Sequence, residues 1–270
     1  MQNYSIHTHS IEYDGKNTIC DMIQRAKILN WSLLGISNHL VCHKNMPLFH
    51  KMFYSDFNKA KDFYKKTIDE IKNEAIKQNF TVLVGFEVDF FTSNNWRKSF
   101  EKLHTELQTD YLIGATHSLM NKDESKIYQL YDYTRPKYPE KEFIDSYWKN
   151  IQESIRSQYF NIIAHLDLLK IFNLDSEEYN DKKIEIAELL SQYNIATELN
   201  TGGYNKYKTF YPDINLLKEL NKNNVSLIIS DDAHSCDELG QYFSVAEDIL
   251  DKLQYKNRLN IHTLNLKKHV

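Results

Sequence analysis

Thr81-Val82-Leu83-Val84-Gly85-Phe86-Glu87-Val88-Asp89 is apolar from Val82 to Phe86 and then presents two carboxylates two positions apart. A short run rich in branched and aromatic residues reads as a buried strand, and the twofold period of a strand puts Glu87 and Asp89 on one face. A buried strand does not tolerate Glu87 without a partner. The partner is either a structural cation or a ligand held at the end of the strand.

Working outward, the same sentence is written six more times. Strands are expected at about Tyr4–Thr8, Leu33–Ser37, Tyr111–Thr116, Phe160–Ala164, Ile195–Asn200 and Val225–Ser230, besides the run ending at Asp89. Amphipathic stretches separate them: from Thr18, whose hydroxyl caps a helix through Met22, Ala26 and Leu29, from Ser55 to Gln78, Arg97 to Leu107, Glu140 to Ser157, Lys182 to Gln192, past Pro212 to Asn221, and from Cys236. Residues 40–54 read as a loop or lid, and residues 121–139 as a loop on the substrate side. Alternation of strand and helix predicts an α/β chain with a parallel sheet, here a distorted, TIM-like (β/α)7 barrel. Its 270 residues fit one such domain, 1–270.

The composition narrows the function. With 33 Lys and Arg against 37 Asp and Glu, the formal charge of -4 gives no basic footprint for nucleic acid. No apolar run approaches the roughly 18 residues that span a bilayer, and no basic segment followed by an apolar one opens the chain, so a cytoplasmic protein without membrane attachment is expected. Cys20, Cys42 and Cys236 are odd in number and widely spaced, which suggests neither a disulfide framework nor a zinc knuckle. A small-molecule partner is the remaining expectation.

Six strand ends carry groups able to hold metal: His7 and His9, His39, Glu87, His117, His165, and Asp232 with His234. Barrel enzymes place their chemistry at the C-terminal ends of strands. Taken singly, His117 or His165 reads as an ordinary hydrogen-bonded side chain, and Asp232 as a helix cap. Taken together, so many compatible groups at equivalent positions point to one cluster. They exceed the three or four ligands of a single zinc and allow two or three divalent ions with Glu87 as a bridge. Mixed nitrogen and oxygen donors suit Zn, Mn or Fe and do not choose among them. His43, His50, His104, His262 and His269 fall outside the pattern.

In this order, His7-x-His9, Asn38-His39, Gly85-Phe86-Glu87-Val88-Asp89, Gly114-Ala115-Thr116-His117-Ser118, Ala164-His165-Leu166-Asp167 and Ser230-Asp231-Asp232-Ala233-His234 resemble the PHP family, named for polymerase and histidinol phosphatase. The later segments Ile163 to Lys170 and Asn200-Thr201-Gly202-Gly203, with Tyr211-Pro212, are most similar to its histidinol-phosphatase branch. The resemblance implies a trinuclear site that hydrolyses phosphate monoesters. Carried over, His7, His9, Glu87 and Asp232 hold one metal, Glu87, His117 and His165 a second, and Asp14, His39 and His234 a third. Asp14 follows His7 by seven residues where the family has eight, and Asn38 stands where Asp is common; Asp14 also reads as a turn residue.

The implied activity is hydrolysis of L-histidinol phosphate in histidine biosynthesis, by in-line attack of water deprotonated between two metals. Asp232, Glu87 and His234 are the candidate catalytic residues, with Asp232 as proton acceptor. Arg135, Lys170 and Lys206 lie in or near strand-end loops, and Arg135 and Lys170 are the candidates for substrate phosphate. Aromatic residues between Phe49 and Phe57 and between Tyr204 and Tyr211 are candidates for a wall around an imidazole, or for packing on the rim. Alternatives are a PHP phosphoesterase for another small phosphate or nucleotide, and a non-catalytic metal-binding domain. The near-complete ligand set counts against the last.

Overall fold

Seven strands pair in parallel and in chain order: β1 (Tyr4–Ser5), β2 (Leu33–Ile36), β3 (Val82–Asp89), β4 (Tyr111–Ala115), β5 (Ile162–Ile163), β6 (Ala196–Asn200) and β7 (Leu227–Ser230). The computed structural model describes residues 2–46, 53–132, 139–174 and 177–261. One principal helix follows each strand: α1 (Ile19–Ile28), α2 (Phe57–Gln78), α3 (Asn94–Glu106), α4 (Glu140–Ser157), α5 (Asn180–Tyr193), α6 (Ile214–Lys222) and α7 (Phe243–Lys252). The expected (β/α)7 architecture is thus present, as a nearly closed barrel. Among the described residues no helix is long and apolar enough to cross a membrane.

The seam between β7 and β1 is closed sparsely. Thr8 bridges Ala233, with the His9 N–H donating to the Ala233 carbonyl at 2.8 Å. Lower down, the Gln2 side chain stands in for a strand: its amide N–H donates to the Ile229 carbonyl at 2.6 Å and its oxygen accepts the Ile229 N–H at 3.2 Å. These contacts carry the first residues of the chain up to His7 and His9.

Alternation divides the core. Val84, Phe86 and Val88 of β3 face outward into the large cluster shared with the helices, so Gly85, Glu87 and Asp89 face the barrel interior. Ile6, Tyr111, Ile113, Ile162, Ala164 and Ile228 form the inner cluster beneath the mouth. Tyr111 fills its floor. A Cβ at Gly85 would come within 2.4 Å of the Tyr111 ring and one at Gly35 within 2.5 Å of its hydroxyl, so glycine at both positions makes room for this side chain. The Tyr111 hydroxyl donates to the Ile6 carbonyl at 2.5 Å.

Two expectations are corrected. Residues 40–42 are not loop: His39–Cys42 forms a strand that pairs with the upper half of β3, His39 opposite Glu87, in the register that β2 has with the lower half. Residues 47–52 of the expected lid lie outside the described residues. The closing helix does not start at Cys236; a single 3-10 turn, Cys236–Glu238, is followed by Gly240 at φ +73, and α7 begins only at Phe243. The break lets the Gly240 N–H donate to the buried Asp231 carboxylate at 2.7 Å, which a continuous helix would withhold.

Candidate metal centre

Glu87 stands at the centre of the barrel mouth, 1% exposed. Its two oxygens lie 2.9 Å from His165 Nε2, 3.0 Å from His39 Nδ1, 3.4 Å from His7 Nε2, 3.6 Å from His117 Nε2 and 3.7 Å from His9 Nε2. Asp232, at the end of β7, lies 3.1 Å from His9 Nε2 and 3.4 Å from His7 Nε2. Asp14 completes the outer side, one oxygen 3.2 Å from both His39 Nε2 and His234 Nε2. All nine residues singled out as ligands are therefore in one cluster, including Asp14, which the sequence left between ligand and turn. Asn38 is turned away from it: its amide accepts the Ser10 N–H and donates to the Ser10 hydroxyl, fixing the loop after His9.

The charges explain one another. Burial disfavours charge on His7 and His39, but Asp232, Glu198 and Glu87 around the first and Glu87 and Asp14 around the second hold both well above the ordinary imidazole value. His234 is likewise carried, against burial, to about 9 by Asp14 and Asp232. His9 goes the other way, to about 4, because burial and the neighbouring rings of His234 and His39 all oppose its charge. Glu87 is held well below the carboxylate range, against burial, by His7, His117 and His39. Imidazoles with raised values thus face carboxylates with lowered ones, and a bound metal would have to displace protons from those imidazoles.

Orphaned atoms test whether a metal fits. His7 Nε2, His9 Nδ1, Asp14 Oδ1 and Glu87 Oε2 are buried with no hydrogen-bond partner among the described residues, an arrangement that is costly unless something else satisfies them. Candidate ligand atoms gather within 4.8 Å of one another in three overlapping groups: His9, Asp14, His39 and His234; His7, His9 and Asp232; and His39, Glu87 and His117. The His117 and His165 Nε2 atoms face each other at 3.1 Å. Behind His117, Nδ1 lies 2.8 Å from Asp89, and behind His7, Nδ1 lies 2.9 Å from Glu198. Carboxylates in that position keep a proton on Nδ1 and turn the Nε2 lone pair inward. The donor set fits divalent metal.

Sequence reasoning missed Glu198, although a carboxylate inside the apolar strand Ala196–Asn200 is the signal that marked Glu87. Of the two lysines near strand ends, Lys170, the candidate for substrate phosphate, is not among the described residues that line the cavity. Lys170 is occupied elsewhere: its ammonium is 3.2 Å from Asp167, donates to the Phe210 carbonyl and lies 4.9 Å over the Tyr211 ring. Lys206 instead lines the cavity of about 580 Å³ above the cluster, with Val41, Phe53, Gln129, Tyr131 and Tyr207. Phe53 and Tyr207 come from the two aromatic segments expected as walls. Arg135 lies outside the described residues.

Comparison with known proteins agrees with this geometry. The family model described as PHP domain matches residues 4–202. A Schizosaccharomyces pombe protein named as a probable histidinol-phosphatase is 25% identical over 268 residues, covering 92% of this chain and 86% of its own. Among solved structures, a Listeria monocytogenes protein provisionally assigned as a histidinol phosphatase superposes with a TM-score of 0.73 at 18% identity, covering 90% of this chain and 99% of its own. Histidinol phosphate phosphatase from Lactococcus lactis, solved with zinc, L-histidinol and phosphate, gives 0.71 at 16% identity, with 95% of each chain covered. At these identities the two structures speak to the fold.

Proposed function

The chain belongs to the PHP domain family, and on that premise we propose that it is a divalent-metal-dependent phosphatase whose substrate is L-histidinol phosphate. The observation that carries the reading is the convergence of buried imidazole nitrogens on Glu87 at the C-terminal mouth of the barrel, in a cluster where His7 Nε2, His9 Nδ1, Asp14 Oδ1 and Glu87 Oε2 have no hydrogen-bond partner among the described residues. The names of similar proteins support this substrate: probable histidinol-phosphatases in sequence, and in structure a histidinol phosphate phosphatase with L-histidinol and phosphate bound. Histidine biosynthesis in the cytoplasm is the corresponding setting.

His7, His9, Asp14, His39, Glu87, His117, His165, Asp232 and His234 would hold two or three ions, Zn, Mn or Fe. Bound there, the ions supply Lewis-acid charge against the phosphoryl oxygens and lower the pKa of water. The protein's own part is to orient and to move protons. Asp232, held as a carboxylate by His7 and His9, is the acceptor for the proton of the attacking water. Lys206 is the ammonium at the cavity for a phosphoryl oxygen, and Phe53, Tyr131 and Tyr207 line it with aromatic surface for the imidazole of the leaving group. A cavity of about 580 Å³ suits a substrate of this size.

Metal analysis of the purified protein, with phosphate release measured over a panel of L-histidinol phosphate, aliphatic phosphomonoesters and nucleotides, tests the proposal. The expected result is retained metal and a kcat/KM for L-histidinol phosphate well above the rest. Preference for another monoester sinks the substrate assignment. Absence of turnover in a metal-replete protein leaves the metal-binding domain and sinks the enzyme.

A further inference from the structure

We propose that Glu198 is a positioning residue that fixes the inward lone pair of His7 and braces it against His165; the assignment rests on the metal-binding reading of the site. Glu198 is 1% exposed and lies on β6, two strands from His7 in the sparsely closed part of the barrel. Each of its oxygens has two donors. Oε2 accepts from His7 Nδ1 at 2.9 Å and from the Ser230 hydroxyl at 2.7 Å. Oε1 accepts the His165 backbone N–H at 3.1 Å and the Asn200 amide at 2.8 Å.

This saturation separates Glu198 from Glu87. Glu87 has an oxygen with no hydrogen-bond partner, whereas neither oxygen of Glu198 is among the unpartnered atoms. A carboxylate with four donors already in place has no lone pair to spare for an ion, and its influence passes through the groups it holds. Two of these, His7 and His165, belong to the cluster, and a third member, Asp232, is reached through Asn200. His7 receives its tautomer: with the proton on Nδ1 held by Glu198, Nε2, which faces Glu87 and Asp232, is the nitrogen that would offer its lone pair to a bound ion. His165 receives its backbone, which sits at φ +22, a conformation a non-glycine residue adopts only under constraint. Asp232, at φ +49, is reached through Asn200, whose amide nitrogen is also 3.2 Å from Asp232 Oδ2.

The test exploits the difference between a carboxylate and an amide of the same shape. In Glu198→Gln one acceptor becomes an NH2 that must confront either His7 Nδ1–H or the His165 N–H. The backbone donor cannot turn, so the NH2 faces His7 and drives its proton to Nε2, removing the lone pair from the site. Zinc affinity, measured by competition with a chelator, is expected to fall about 10–100-fold while far-ultraviolet circular dichroism stays that of the parent. Glu198→Asp, which only accepts, is expected to bind zinc more tightly than the Gln variant; a role in packing alone predicts the opposite order, since Gln is the isostere. In the zinc-loaded parent, nitrogen-15 NMR of the imidazoles is expected to find the His7 proton on Nδ1, a readout independent of whether a variant folds. A His7 protonated on Nε2, or a folded Gln variant as tight as a zinc-binding parent, overturns the assignment alone. A parent that binds no zinc overturns the metal reading and this assignment together.

Discussion

Replacing Gly85 by alanine tests the barrel interior on which the metal cluster stands. The added Cβ would lie 2.4 Å from Tyr111 Cζ and 2.5 Å from Cε2, where carbon atoms prefer about 3.5–4.0 Å. Tyr111 must therefore withdraw by about 1 Å. It is 2% exposed, and its hydroxyl is held on the Ile6 carbonyl, the residue before His7. Overpacking of this kind costs about 1–3 kcal/mol, and stretching or losing the buried hydroxyl bond about 1 kcal/mol more. A total near 3 kcal/mol corresponds to a fall in Tm of about 6–12 °C for a chain of this length. Thermal unfolding of the metal-free protein measures it, and a double-mutant cycle with Tyr111→Ala identifies the cause. Tyr111→Ala alone is expected to be costly through the cavity it leaves, with Gly85→Ala adding almost nothing in that background, a coupling of about 3 kcal/mol. A single Gly85→Ala variant that melts within about 2 °C of the parent, or strictly additive effects, refutes the steric account.

The cluster's protons make metal binding depend on pH. His234, at about 9, and His7 and His39, both raised, are protonated at pH 7 in the metal-free protein and must release protons to a metal, whereas His9, at about 4, is already neutral. Metal affinity is therefore expected to rise about tenfold per pH unit for each proton released between pH 7 and 9, with proton release visible by calorimetry in buffers of different ionisation enthalpy; affinity flat across that range contradicts the protonation scheme. For stability of the metal-free fold the sign is reversed. A raised His234 stabilises fully below about 6.5, its unfolded value, and the contribution is lost as pH climbs through about 9, so urea midpoints should fall over that interval. Glu87→Gln removes the one carboxylate that five imidazoles share; a loss of at least about a thousandfold in kcat/KM is expected, accompanied by reduced metal content, and normal turnover would exclude Glu87 from the chemistry. Lys206→Ala should raise KM for phosphomonoester with little change in melting temperature, while Lys170→Met should lower stability by about 1–3 kcal/mol and leave KM within twofold. The reverse pattern would return Lys170 to the substrate.

Much of this protein is written locally. The apolar run to Glu87, the His7 and His9 pair and the clustered Asp232 and His234 were readable because strand periodity and the ends of β/α units leave a periodic trace in the chain. Thr18 was legible as a cap for the same reason, and its hydroxyl does accept the Asp21 N–H within a capping box. Glycine 85 could be seen to end an apolar run, but not that Tyr111, from the neighbouring strand, lies across it. What the sequence could not decide is where loop residues and buried carboxylates point. Asp14 became part of the cluster because the turn after His9 folds back beneath His234, with Lys16 N–H donating to the His234 carbonyl at 2.7 Å. Lys206 reached the cavity and Lys170 did not, although both follow strand ends. Glu87 and Glu198 are the same residue in similar apolar strands; four donors around one and five imidazoles around the other make the difference, and those neighbours come from strands far apart in the chain. Periodicity is a property of neighbours in sequence, whereas the role of a buried charge is set by its neighbours in space.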